Sequence, residues 1–410
     1  QIIRRLKEQN EGIKEELGKV KSSIQGLEKR YRKKLTVLEE ELRGVKDKVD
    51  VLKNWGVGHS FSVLESWVPE KDKLGFEDAI RKTTKDYYIE FERKEGAPTL
   101  YCHHKLIEPF QLITNLYSPP KHGRFDPTPL LAVTFTIFFG LMLTDFIYGL
   151  LMAVTAFFVY KGAGKYNKSI KDFSIIMVVF GISTLVWGII FGSYFGDFFQ
   201  SIGFNLPVPI DAMKDVLVTL ALSIIIGTIH ITTGLVIGFF ENARFQGFNK
   251  AISEQGIWLI FLSGLIIAIL DISIALALFG IAAILKVFYT FKESGLMPSI
   301  LSLFDFSGFL GDLFSYGRLM ALGVGTAGIA LAVNFLSILL SDMVPVLGVI
   351  LAIALFTVGH AFNMAMNGLG AFIHSTRLHF LEFFQKFYEG GGDLFVPFRS
   401  ERKNTKIIDM

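Results

Sequence analysis

Between residues 127 and 390 the chain carries a succession of apolar runs long enough to cross a bilayer, and no other feature restricts its fold so strongly. A spanning helix needs about 20 mostly apolar residues. Forty Phe and a charged fraction of only 19% fit that reading, as does a mean hydropathy of +0.45. The average conceals a division, because residues 1–126 are rich in Lys, Arg and Glu. The net charge of +3 says little by itself, since membrane proteins concentrate basic residues in loops. Cys102 is the single cysteine, so neither an intrachain disulfide nor a thiolate metal cluster is expected. The chain starts at Gln1 in mid-helix pattern with no visible signal peptide, and reads as a fragment whose natural N-terminus is missing.

The runs divide into eight predicted spans. Pro129 to Val159 is too long for one ordinary span and is interrupted by Thr144-Asp145, which predicts a hairpin of two short spans. The third covers about Phe173 to Phe199 and the fourth about Val216 to Phe240. The fifth and sixth run from Ile257 to Val287 with a break near Asp271. The seventh covers about Ser302 to Leu340 and the eighth about Val346 to Lys386. Loop charge alternates with this count. Lys161, Lys165, Lys168 and Lys171 lie in one loop, Arg244 and Lys250 in another, Lys286 and Lys292 in a third, and Arg399, Arg402, Lys403 and Lys406 in the tail. The intervening loops are nearly free of Lys and Arg, so the positive-inside rule puts the N-terminal part and the 391–410 tail in the cytoplasm. Forty helical residues rise roughly 60 Å, twice the hydrocarbon thickness of about 30 Å, so the last two helices must tilt or project.

Ahead of the membrane domain, residues 1–53 read as a coiled-coil arm. Core positions step by three and four from Ile3 and Leu6 to Val49 and Leu52, with a stutter around Tyr31. A lone helix of this kind cannot bury its stripe and requires a partner helix. Residues 54–126 read as a small α/β lobe and linker, with strands at Ser60–Pro69 and Tyr87–Glu92 around a helix from Glu77 to Lys85. The expected fold is therefore mainly α: a polytopic α-helical membrane domain with two long tilted C-terminal helices, preceded by the coiled-coil arm and the lobe.

Two arginines stand where charge is expensive. Arg318 lies within the seventh span and Arg377 within the eighth. A charged Arg at a helix centre costs about 2.5–3.5 kcal/mol on insertion scales. Arg318 cannot release its proton, so it suits a permanent counter-charge better than a proton relay. Its helical neighbours are small: Ser307, Gly311 and Ser315 on one side, Ala321, Gly325 and Gly328 on the other. Such a stripe fits either a face that slides past a partner or a static seam whose Arg pairs with an acid such as Asp305, Asp145 or Asp197. The eighth span carries His360, Asn363, Asn367, Gly370, His374 and Arg377 at alternating steps of three and four, hence on one face, with Glu382 beyond. Polar residues in register argue for a wet path. His230, Asp197 and Glu241 are isolated and read as structural. Gly162-Ala163-Gly164-Lys165 has Tyr166 where a P-loop needs Ser or Thr, and neither a zinc motif nor a nucleophile elbow is present. The chain is not expected to hydrolyse nucleotide itself, nor to hold a metal or cofactor.

These segments resemble subunit a, or subunit I, of archaeal and vacuolar-type rotary ATPases. Ser315-Tyr316-Gly317-Arg318-Leu319-Met320-Ala321-Leu322 is similar to that family's span-seven signature, and Gly370-Ala371-Phe372-Ile373-His374-Ser375-Thr376-Arg377-Leu378-His379-Phe380 to its span-eight signature. Phe191–Asp197 and Val63–Pro69 match as well. Thr326 and Asn367 stand where vacuolar relatives carry His and Glu, and Thr144–Gly149 is a reduced form of the family's first-hairpin block, which points to the archaeal or bacterial branch. The resemblance implies a multi-pass stator subunit in the cell membrane. A proteolipid c-ring would turn against it and carry H+ or Na+. Peripheral stalk subunits of the E/G type would brace it, and central-stalk and catalytic head subunits would complete the assembly. Arg318 and Arg377 would then serve ion translocation, with His360, Asn363, Asn367, His374 and Glu382 lining a half-channel. The small residues around Arg318 would face the rotor, and the missing N-terminal arm would pair with residues 1–53. Nothing implies a nucleic acid partner. A secondary ion transporter with a coiled-coil regulator, or a membrane tether, are the competing classes. The first requires internal repeats that the two halves do not show.

Overall fold

The computed structural model describes residues 2–53, 55–94, 96–204, 208–343 and 346–398. The tail residues Arg399, Arg402, Lys403 and Lys406 lie outside the described residues. The chain divides into two compact units, residues 1–93 with 395–410, and residues 94–394.

In the first unit α1 spans Ile2–Leu52 without interruption. Its surface is stitched by i,i+4 pairs such as Glu15–Lys19, Glu28–Arg32 and Glu39–Arg43, which suit an exposed helix. The apolar stripe from Ile13 through Leu17, Ile24, Leu35 and Leu42 is exposed, as a coiled-coil face without its partner would be. β1 (Trp55–Val57) pairs antiparallel with β2 (Ser62–Leu64), Gly56 opposite Val63. The turn closes with the Gly58 N–H donating to Phe61 O at 2.8 Å. Helix α2 covers Lys73–Thr83. The strand expected at Tyr87–Glu92 does not form. Its alternating side chains are used against α2 instead: Arg81 Nε donates to Tyr87 Oη at 3.1 Å, and Lys73 sits 4.4 Å over the Phe91 ring. The strand partner for Ser62–Leu64 comes from the adjacent Trp55–Val57, because a short turn closes more cheaply than a long loop.

The second unit is a mainly α, polytopic membrane body. Short α3 (Gln111–Tyr117) leads to α4 (Thr128–Leu143) and α5 (Phe146–Lys161), apolar helices of 16 residues each. Then follow α6 (Lys168–Ile190), α7 (Phe198–Ser201) and α8 (Val216–Phe245). α9 (Phe248–Ala251) continues through a π-turn into α10 (Ile257–Ile267), and α11 is Ile272–Ser294. α12 (Leu296–Leu301), α13 (Asp305–Phe314) and α14 (Gly317–Met343) make up the seventh run. α15 (Leu347–Arg377) ends in a π-turn at Leu378–Phe383. Six helices among the described residues are long and apolar enough to cross a membrane, two of them 48 and 40 residues long. α4 and α5 are the two shorter apolar helices.

The predicted interruptions fall at helix caps. Asp271 Oδ1 accepts from the Ser273 and Ile274 N–H groups and starts α11. Asp145 caps α5 more elaborately. Its Oδ1 accepts from Ile147 N at 3.0 Å and Tyr148 N at 3.1 Å, and its Oδ2 from Ser193 Oγ at 2.8 Å and Gly196 N at 3.1 Å. A buried carboxylate is tolerable because four donors replace its water. The same carboxylate ties the α4–α5 hairpin to the 191–197 turn. Gly149 and Gly181 let α5 and α6 meet backbone to backbone, and on the other side Phe180 stacks on Phe139 at 4.4 Å and Phe135 at 5.3 Å.

The long C-terminal helices are less regular than the apolar pattern suggests. The predicted Ser302–Leu340 run breaks at Ser315-Tyr316, between α13 and α14. That turn stands between the stripe's two halves, Ser307–Gly311–Ser315 and Ala321–Gly325–Gly328. The third run also stops at Ile190, ahead of Phe199, because the chain turns at Gly192 and Gly196, both at positive φ. Replacing Asp145 with Ala orphans four donors. It should destabilise the membrane unit by at least about 2 kcal/mol, read as a lowered midpoint of thermal aggregation in detergent, while Asp145→Asn loses less.

Candidate functional site

Arg318 stands in the first turn of α14, partly exposed on a face that this chain leaves open. Gly311 and Gly325 have nothing within 4 Å of where a Cβ would sit, Gly328 meets only Met213 Sδ at 3.9 Å, and Ser307 and Ala321 are exposed. None of the acids expected as its partner pairs with Arg318. Asp305 binds Lys286 at 3.0 Å, Asp145 caps α5, and Asp197 accepts from Asn334 at 2.8 Å. Asp312 binds Lys386 at 2.6 Å. The counter-charge is Glu382, whose Oε1 lies 3.9 Å from Arg318 Nη1.

That pair depends on the π-turn. The wider turn at Leu378–Phe383 inserts an extra residue per turn relative to an α-helix, so Glu382 is buried beside Arg318 while Arg377 remains exposed. At 3.9 Å the pair is electrostatic without being a hydrogen bond. Arg318 Nη1 and Glu382 Oε2 are both without a hydrogen-bond partner, as is His374 Nδ1 one turn before Arg377. Arg318 and Arg377 lie within electrostatic range of each other and of both His374 and Glu382. The unpartnered atoms are themselves buried, so the cluster holds charge with unused hydrogen-bonding capacity just beneath the open face.

The upper part of the polar stripe is built differently. His360 and Asn363 are buried, and each is hydrogen-bonded to Tyr148. Asn334 Nδ2 donates to Phe195 O at 2.7 Å and to Asp197 Oδ1 at 2.8 Å, so its Oδ1 faces His360 Nε2 at 2.9 Å. His360 must then donate from Nε2 and accept at Nδ1 from Tyr148 Oη at 2.6 Å. Tyr148 Oη in turn accepts from Asn363 Nδ2 at 2.9 Å, and Asn363 Oδ1 accepts from Asn367 Nδ2. One direction of donation satisfies the whole row from Asp197 to Asn367. The row binds α5, α14, α15 and the 195–197 turn together, and its side chains meet each other where an open path was expected. Asn367 is its half-buried end.

Sequence reasoning missed Tyr148, Asn334 and Tyr316, which read as ordinary members of apolar runs. The spacing of a single span cannot reveal partners supplied by other helices. Thr326 proves to be a tie, its Oγ1 lying 3.2 Å from Met142 O on α4. A polar cavity of about 370 Å³ opens near Lys386, and its cations are paired: Lys250 with Glu254 at 2.9 Å and Glu293 at 3.7 Å, Lys286 with Asp305 and Lys386 with Asp312 outside it.

The V-type ATPase 116kDa subunit family matches this chain over residues 1–205 and 313–400. The chain is 34% identical to the A-type ATP synthase subunit I of Methanocaldococcus jannaschii, over 99% of this chain and 64% of that protein. It is 36% identical to the subunit I of Methanothermobacter thermautotrophicus, over 99% and 62%, and 33% identical to that of Pyrococcus abyssi, over 99% and 64%. The chain thus spans somewhat less than two thirds of the length of these relatives.

Removing the Tyr148 hydroxyl leaves His360 Nδ1 and an Asn363 N–H unsatisfied. Tyr148→Phe should therefore cost about 1–3 kcal/mol, seen as a lower thermal midpoint in detergent. Adding Asn363→Ala should bring less than the sum of the two single effects, because both break the same bond.

Proposed function

The chain belongs to the V-type ATPase 116kDa subunit family, and from that premise we propose that it is the membrane stator subunit of an archaeal-type rotary ATP synthase, which guides H+ or Na+ past a turning ring. The observation that carries this reading is Arg318: a permanent positive charge on an open, small-residue face, balanced from behind by a counter-charge it does not fully engage.

A ring of proteolipid subunits, each with an ion-binding carboxylate, fits that face. The smooth surface of Gly311, Ala321, Gly325 and Gly328 lets neighbouring helices pass at close range. When a carboxylate comes opposite Arg318, the guanidinium favours its charged form, so the ion leaves on the approaching side. Past Arg318 the carboxylate rebinds an ion from the other side. Because Arg stays charged at any operating pH, it also blocks direct leakage between the two access paths. Glu382 keeps Arg318 compensated between carboxylates. Its loose geometry lets the ring compete for the guanidinium without first breaking a bidentate bond. Asn367, His374 and Arg377 border the access path on the α15 side, and the saturated row from Asp197 to Asn363 is the rigid wall behind it. All eight apolar helices cross the membrane, with the N-terminal part and tail in the cytoplasm. The exposed stripe of α1 pairs with a second arm of the natural protein and, with peripheral stalk subunits, braces the stator against rotor torque. ATP chemistry belongs to head subunits.

The test uses the full-length subunit in the complete complex, reconstituted into vesicles. Arg318→Ala should abolish ATP-driven ion uptake while detached catalytic heads still hydrolyse ATP. Arg377→Ala should lower uptake without abolishing it. Normal coupled uptake by Arg318→Ala would sink the mechanism, and loss at Arg377 with tolerance at Arg318 would reverse the two roles. Uptake measured with and without Na+ identifies the ion.

A further inference from the structure

The break that carries Arg318 is held by a helix outside the candidate site. Tyr316 lies between α13 and α14 and is fully buried. Its carbonyl accepts from Leu319 N at 3.0 Å, so α14 starts on this residue. The Tyr316 ring fills a slot on α8 that exists because residue 227 is Gly; a Cβ there would overlap the ring carbons. Three residues further along the same face of α8, His230 Nδ1 meets Tyr316 Oη at 2.8 Å.

His230 is itself immobilised. Its ring stacks on Phe383 of the π-turn at 3.9 Å and meets Phe138 of α4 edge-on at 5.0 Å. It also lies 4.8 Å from the ring of His379, which Thr134 and the Ser375 carbonyl hold at 2.7 Å each. The Tyr316 hydroxyl therefore has one direction to point, set by α4, α8 and the π-turn. Below the break, α13 is pinned separately through Asp305–Lys286 and Asp312–Lys386. With α13 held there, the two-residue turn at Ser315-Tyr316 leads directly into Arg318.

We propose that Gly227, His230 and Tyr316 form a positioning device, in which α8 sets the break between α13 and α14 and so aims Arg318 at the ring carboxylate. This inference rests on the reading of Arg318 given above. None of the three residues touches the ion; they act through the backbone that carries the arginine.

The experiment compares Tyr316→Phe, His230→Leu, His230→Asn and Gly227→Val with Arg318→Ala, each in the complete reconstituted complex. The quantity read is ions taken up per ATP hydrolysed, at equal amounts of assembled complex. A purely structural role would lower assembly and leave that ratio unchanged. Tyr316→Phe and His230→Leu should each lower it on the order of tenfold, since small misplacements of a reacting group are costly. The double variant should be no worse than either single one, because one bond is lost in all three. His230→Asn, which returns a polar atom near Nδ1, should recover most of the loss. Gly227→Val expels the ring and should match Arg318→Ala; if that variant does not assemble, the two volume-preserving variants carry the test. A wild-type ratio in Tyr316→Phe and His230→Leu, with uptake lost in Arg318→Ala, overturns this inference alone. A wild-type ratio in Arg318→Ala overturns the reading of the site beneath it.

Discussion

A guanidinium cannot shed its proton, so among apolar helices it has to be balanced where it stands. At Arg318 the balance comes from Glu382, within the π-turn that ends the last long helix. Much of the surrounding structure follows from this pairing. The π-turn brings Glu382 inward, buries His379 and Phe383 beside α8, and leaves Arg377 on the surface. An ordinary α-helical continuation would have placed these side chains at different azimuths and left Arg318 to find a partner elsewhere.

Two kinds of polar chemistry lie next to each other along α15. From His360 to Asn363 every donor meets an acceptor on another helix, and a single direction of donation accounts for the row. Such a network is rigid, because each member is costly to leave unpaired in an apolar setting. At Arg318, His374 and Glu382, by contrast, one buried polar atom of each has no hydrogen-bond partner. The first kind fixes helices, whereas the second leaves polar atoms without a partner inside the protein. The row ends at Asn367, whose side-chain hydrogen bonds run back to Asn363.

The short α4–α5 hairpin shows how the rigid part is assembled. Asp145 closes it against the 191–197 turn, and Thr144 Oγ1 reaches Gly323 O on α14 at 3.3 Å. Thr326 answers from α14 to Met142. These ties stand on the helix that carries Arg318, so its upper portion is as firmly held as its start is at Tyr316. The arginine sits between two anchored points on an otherwise smooth surface.

The apolar runs, the breaks at Asp145 and Asp271, the apolar stripe of α1 and the two arginines within apolar runs were all legible in the sequence, because each is written in local spacing. A run of apolar residues needs no tertiary partner to declare itself, and a charge inside one is conspicuous on energetic grounds alone. Tertiary structure decided what those residues touch. Tyr87–Glu92 alternates like a strand yet forms none, since the nearer Trp55–Val57 takes the pairing. The acids nearest Arg318 in sequence bind other partners, and its counter-charge arrives from another helix through a π-turn that no periodicity announces. His360 and Asn363 share a face with His374, yet only contact with Tyr148 and Asn334 makes them a wall. Spacing along one helix fixes which side a residue takes; what stands on that side depends on the other helices, and hydrogen bonds between helices leave no periodic trace in the chain.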